Sequence, residues 1–194
     1  MKTTLYGSRG QAVIEFALVM PLVLLVALGV IELGYALLDQ HVVTKLTREG
    51  SNLISRNTSI EEAVTAMQGM TTTPVNFNTS SKLIFSVIRK GSTTGTANYD
   101  KEILYQRHEF GALTGVQSVL STVGAGSYRG APDYEANNAD TDANLQILNL
   151  PANLSVPRGG YLYVTEVYTQ HPLITPLDRF GVTVPSTLYS IAYF

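Results

Sequence analysis

Asp140, Asp142 and Asn144 stand at alternate positions in DTDAN, the oxygen-donor spacing that opens a calcium-binding loop. Leu145 then occupies the place of the required glycine and Pro151 that of the bidentate acid, so a solvated loop without metal is expected. Ser127, in AGSYR, is the candidate nucleophile, but it lacks the flanking glycines of a nucleophile elbow. The overlapping GAGSYRG misplaces the third glycine of a dinucleotide loop. His41, His108 and His171 are far apart, belong to no HxxxH or HExxH spacing, and read as surface or stalk residues. With no cysteine, thiolate catalysis, zinc–thiolate sites and disulfides are excluded. No catalytic residue, metal or cofactor is expected.

One pair remains. In SRGQAVIEFALVMP (8–21), Gly10 closes a short basic leader and Glu15 follows five residues later, just inside a long apolar run. A carboxylate near hydrocarbon is expensive, and such residues are usually paired and functional. Two readings of the pair stand. In the first, Gly10 ends a disordered tail and Glu15 snorkels to the membrane interface. In the second, the peptide bond after Gly10 is cut. Gln11 then supplies a new ammonium one helical turn from Glu15, at the positive end of the helix dipole, so the acid gains a partner in its own chain or in a neighbouring helix.

The element that must carry these residues is a helix. From Phe16 to Leu38 the chain is apolar except for Glu32 and Tyr35, long enough for a bilayer core of roughly 30 Å. A cleaved secretory signal has a shorter apolar region, and a core helix is rarely apolar on all faces, so one membrane span is the preferred reading. Lys2 and Arg9 precede it; Lys45, Arg48 and Arg56 follow, offset by Asp39 and Glu49. Arg9 lies closest to the bilayer, which favours the N-terminus inside.

Beyond the span, Val42, Val43, Leu46, Leu53 and Ile54 recur at helical spacing, with Gly50 on the same stripe. One helix over 11–56 would run about 70 Å, with Pro21 loosening it inside the span. Ser59 and Glu62 form a capping box, predicting a short helix over about 60–70. After Pro74 the pattern changes. KLIFSVIRK (82–90), EILYQRHEF (102–110), YLYVTEVYT (161–169) and STLYSIAYF (186–194) are β-branched and aromatic runs of strand length, separated by loops rich in Gly, Ser, Thr and Asn. GALTGVQSVLS (111–121) is read as a short helix. The expected class is α+β: a long N-terminal transmembrane and stalk helix, then a small antiparallel-sheet head.

Across its 194 residues the chain is 45% hydrophobic and only 14% charged, with a formal net charge of −2. That balance gives no basic footprint, so no nucleic acid is expected as a partner.

The G-x-x-x-x-E signature behind a basic leader and before an uncleaved apolar helix resembles a type IV prepilin. The fuller string RGQAVIEFALVMPLVLLVALGVIELGYALL more closely resembles the TadE-like minor pilins of the tight-adherence (Tad/Flp) system. The likeness lies in the G-x-x-x-x-E-F opening, the A-L-V-x-P-L run and the I-E-x-G near the end of the span, with Leu33 where the family commonly has Phe. It covers about residues 9–56.

The resemblance implies a non-enzymatic pilin or pseudopilin that acts in initiation, tip formation or assembly of the pilus. It also implies a leader of residues 1–10, a transmembrane and stalk helix of 11–56, and a head of 57–194 facing the periplasm or the outside. Gly10, Gln11, Glu15 and Phe16 would be read by a prepilin peptidase. Ala17, Pro21, Ala27, Gly29, Glu32 and Gly34 would sit at helix-packing positions, where small residues let helices approach. Expected partners are that peptidase, the major pilin and other minor pilins, the inner-membrane assembly platform and the lipid bilayer. The competing readings are a single-pass anchored periplasmic enzyme or ligand-binding protein, and a secreted enzyme whose signal has been removed.

Overall fold

The computed structural model describes residues 8–56, 58–182 and 185–194. The first seven residues of the expected leader, Lys2 among them, lie outside the described residues. Helix α1 runs Ser8–Ile54 and α2 runs Ile60–Gly69. Four strands follow: β1 (Ser81–Lys90), β2 (Glu102–Phe110), β3 (Tyr161–Gln170) and β4 (Thr187–Tyr193). They form one antiparallel sheet in the order β2-β1-β3-β4. The expected α+β class, with a long N-terminal helix ahead of an antiparallel sheet, is therefore observed.

Two compact units divide the chain. One joins the residues up to Leu38 with Pro172–Ser186; the other joins Asp39–His171 with Thr187–Phe194.

In the second unit the sheet is buried on both faces. The C-terminal half of α1 lays Val43, Leu46 and Ile54 on one face, and α2 adds Ile60, Ala63, Val64 and Met67. These pack with Leu83 and Phe85 of β1 and Val167 of β3. On the opposite face Ile84 packs with Leu113 and Tyr168, and Ile88 with Leu120, Val156 and Val164. The second layer comes from the connection between β2 and β3, not from a helix. Two-sided burial explains why KLIFSVIRK reads as a continuous apolar run, without the alternation of a half-exposed strand. Part of the same connection bridges to the outer edge of β2, at Ile103–Gln146 and Gln106–Glu135, and so covers it.

Local signals account for most boundaries. Ser59 and Glu62 make the predicted capping box at α2. Gly50 has a stronger reason to be glycine than its place on an apolar stripe suggests. A Cβ there would stand 2.8 Å from Thr165 Cγ2 and 3.2 Å from Phe85 Cε1, so the missing side chain is what lets α1 lie against the sheet. Edge strand β4 is tied to the same helix by side chains: Gln40 Nε2 donates to Tyr189 O at 2.9 Å and Ser51 Oγ to Ala192 O at 3.1 Å.

One expected element is absent. Residues 111–121 form no helix. Gly111 and Gly115 both sit at positive φ, 124° and 80°, which breaks helical geometry at the start and again in the middle of the apolar pattern. Leu113 and Leu120 are buried as single anchors of a loop that crosses the sheet.

Candidate functional site

The first half of α1 is an exposed apolar helix. Every residue from Gln11 to Leu24 is exposed, and α1 is long and apolar enough to cross a membrane. In a chain packed only in water that much bare apolar surface would be exceptional.

Gly10 lies in the first turn of this helix as described, and nothing stands within 4 Å of a Cβ built on it. No contact among the described residues therefore requires glycine there. The same holds for Gly29 and Gly34, which like Ala17, Pro21 and Ala27 meet no packing demand from the described chain. Glu15 is exposed and accepts from Gln11 Nε2 at 3.0 Å. The four-residue spacing thus brings position 11 within hydrogen-bonding distance of the carboxylate, one helical turn away. Phe16, beside it, projects from the helix with 64% of its surface exposed.

Glu32 is different. It is 1% exposed, the most deeply buried residue of the first half of α1. The strand β3 gives way to Pro172–Val182, and this segment brings donors to the carboxylate. Ile174 N lies 3.2 Å from both oxygens, while Thr175 N and Oγ1 donate to Oε2 at 2.8 and 2.6 Å. Thr175 is extended because Pro176 follows it, and that conformation points consecutive N–H groups at one acceptor. Pro176–Phe180 then forms a 3₁₀ turn closed by Gly181 in the left-handed region (φ 75°). A carboxylate within an apolar run is thereby offset by charge-assisted hydrogen bonds from its own chain. Sequence reasoning placed Glu32 among helix-packing positions and found no such partner, because the donors are backbone groups about 140 residues away along the chain.

The histidines require a correction. His171 is not a surface or stalk residue: it is 3% exposed, with Nδ1 2.7 Å from Asp39 Oδ2. His108 stacks on Tyr134 with centroids 3.9 Å apart, and burial lowers its pKa. Only His41 is exposed.

Asp140 accepts from Ser92 N at 3.0 Å, Thr93 Oγ1 at 2.8 Å and Arg89 Nη1 at 3.2 Å, pinning its loop to the β1–β2 connection. Asp142 caps the turn at Asn144 N. No group of three or more histidines and acids arranged to hold a metal is found among the described residues.

Sequence reasoning also passed over Glu166, an acid in the middle of an apolar strand, which was itself the signal. Fully buried, it accepts from Ser118 Oγ at 2.5 Å and Val119 N at 2.9 Å, and so holds the β2–β3 connection onto the sheet. Arg107 joins the cluster by donating to Ser118 Oγ at 2.8 Å and to Ser86 Oγ. A cleft of about 640 Å³ lies among Glu62, Tyr105, Glu135, Tyr161 and Tyr163. Two of its three acids are engaged within the head: Glu135 accepts from Tyr105 OH at 2.7 Å, and Glu62 serves the capping box; Asp133 is the third. The Glu166 cluster and the Tyr105–Glu135 bond act as supports for the head.

Several tyrosines are held neutral. Burial, then the Glu166 charge, pushes the Tyr168 and Tyr189 hydroxyls upward. Tyr105 is pushed up to about 12 by burial and its bond to Glu135, and Tyr128 to about 12 by burial. Tyr134 reaches about 12 through its hydrogen bond to Glu61. A folded-state pKa above the unfolded value of roughly 10 means that the folded chain holds more protons in alkali. The stabilisation is complete below pH 10 and is lost as pH rises toward and through 12. For the detergent-solubilised chain, the denaturation midpoint should hold steady from pH 7 to 9 and fall steeply between 10 and 12. The share of tyrosinate absorbance owed to these held tyrosines should appear together with unfolding; ionisation of all 11 tyrosines near pH 10 with the fold intact would refute this.

Residues 10–52 match the family model described as TadE-like protein. The resemblance drawn from the string between Arg9 and Leu38 is borne out by that match. No curated protein and no solved structure matches the chain.

Proposed function

We propose that this chain is a TadE-like, pilin-like subunit of a Tad-type pilus, anchored in the bacterial inner membrane by the first half of α1. The observation that carries the reading is the family match over residues 10–52, the segment that holds Gly10, Glu15 and the apolar helix. In this reading a prepilin peptidase cuts after Gly10 on the cytoplasmic face, leaving Gln11 as the mature N-terminus. An exposed glycine with no packing partner suits a scissile position, since an enzyme must reach the backbone there. The exposed surfaces at Ala17, Ala27 and Gly34, with the half-exposed Gly29 between them, suit contact with neighbouring helices of the major pilin or other minor pilins. The sheet-bearing head faces the periplasm or the outside and acts in initiation, tip formation or assembly, with the inner-membrane platform as a further partner. Its role is structural, consistent with polar clusters that support the fold.

The test is the mature N-terminus. Chain recovered from native membranes should begin at Gln11, and Gly10→Phe should leave the leader attached to nearly all of it. Met1 on most of the membrane-resident protein would overturn the reading.

A further inference from the structure

The segment Pro172–Val182 is tied to α1 at Glu32, yet it carries its own exposed apolar side chains. Ile174 is 54% and Phe180 61% exposed, and Leu173 and Val182 are exposed as well. Leu177 turns inward and is buried. The backbone closes on itself in the 3₁₀ turn, with Gly181 N donating to Asp178 O and Val182 N to Leu177 O. A segment built to satisfy its backbone while presenting apolar side chains outward suits a low-dielectric surrounding.

Its position along α1 indicates which surrounding. Glu32 lies six residues before Leu38, where the apolar run ends, and Asp39 is the next charged residue. At about 1.5 Å per residue, the hydrogen bonds from Ile174 and Thr175 fix the segment roughly 9 Å inside the end of the apolar run. Around it α1 exposes Val30, Ile31, Leu33 and Leu37. Asp178 and Arg179, the segment's two charges, are exposed and adjacent, which suits headgroup depth and not the bilayer centre.

We propose that Pro172–Val182 is a second membrane contact: an interfacial wedge whose Leu173, Ile174, Phe180 and Val182 enter the outer leaflet beside the end of the span. This rests on the reading of α1 as a membrane helix. The occupant is lipid because the exposed side chains continue the apolar surface of the span itself. With one acid and one base the wedge is neutral, so apolar burial, not attraction to anionic lipid, holds it there.

The absence of native cysteine makes a site-specific probe direct. Full-length Phe180→Cys and Val26→Cys, both at exposed positions, are labelled with an environment-sensitive fluorophore and reconstituted in phosphatidylcholine vesicles. Lipids bearing a nitroxide near the headgroup, or deep in the acyl chain, serve as quenchers. The label at 180 should lose at least half its emission to the shallow quencher and less to the deep one, with the order reversed at 26. Quenching at 26 but none at 180 would overturn the wedge while leaving the span intact. No quenching at either would remove the span and the wedge together. Concentration-dependent self-quenching at 180, without lipid quenching, would show a second copy covering the segment and would also overturn the proposal.

Discussion

Replacing Glu15 by glutamine is expected to lower recovery of the assembled subunit by about tenfold or more, with membrane insertion intact and the loss measured per processed chain. The substitution keeps the size of the side chain and most of its hydrogen bonding, including a partner for the Gln11 amide now 3.0 Å from Glu15 Oε1. What it removes is the charge. Insertion should survive because a carboxylate only adds to the cost of entering the bilayer. Any effect on peptidase recognition is separated by comparing equal amounts of processed protein, so the yield reports assembly alone. Assembly is where the charge matters, since a Gln11 ammonium packed among apolar helices would be left without a counter-charge. Breaking a buried ion pair by removing one partner costs on the order of 3–5 kcal/mol, which covers the expected loss. The readout is co-purification with the major pilin, or pilus yield, at matched levels of processed protein. An acid that merely snorkels to the interface is dispensable, so equal yields would end the pairing model.

The parts of this molecule visible in its sequence are those set by local chemistry. The capping box at Ser59 and Glu62 is made by residues three apart, so it can be read directly, and it forms. The four strands announce themselves through β-branched and aromatic runs. The apolar helix is legible because a bilayer imposes a length that few other environments do. What escapes is whatever depends on distant chain. His171 reads as an isolated polar residue until Asp39 is brought to 2.7 Å of it. Glu166 looks out of place in its strand until Ser118 and Val119 arrive from the β2–β3 connection. The helix expected over 111–121 fails for the same reason, because its leucines answer to the sheet face beneath them, and two glycines release the backbone to follow. Gly50 shows the limit most plainly. Helix propensity scores it as a tolerated defect of about 1 kcal/mol, whereas the packed structure uses the missing Cβ to seat the helix.

Glu32→Ala should free the segment after β3, and trypsin should report it. Arg179 is the one Lys or Arg after Arg158, so cleavage in that stretch has a single site and releases Phe180–Phe194, which contains β4. In the wild-type chain Glu32 holds Ile174 and Thr175 through donors at 2.6 to 3.2 Å, just ahead of the 3₁₀ turn that carries Arg179. Alanine leaves two backbone N–H groups and a hydroxyl without their acceptor. Each unsatisfied buried group costs about 1–3 kcal/mol, and partial rehydration recovers some of that. A net loss of about 2 kcal/mol raises the open population roughly thirtyfold, and cleavage follows that population when opening is fast relative to cutting. In detergent micelles the band ending at Arg179 should therefore appear at least tenfold sooner in the variant. Glu32→Gln should fall between the two, because its carbonyl oxygen still accepts while its amide meets the remaining donors unfavourably. Identical cleavage rates for wild type and alanine would mean that the carboxylate does not hold the segment, and that the buried charge in the apolar run is stabilised by some other means.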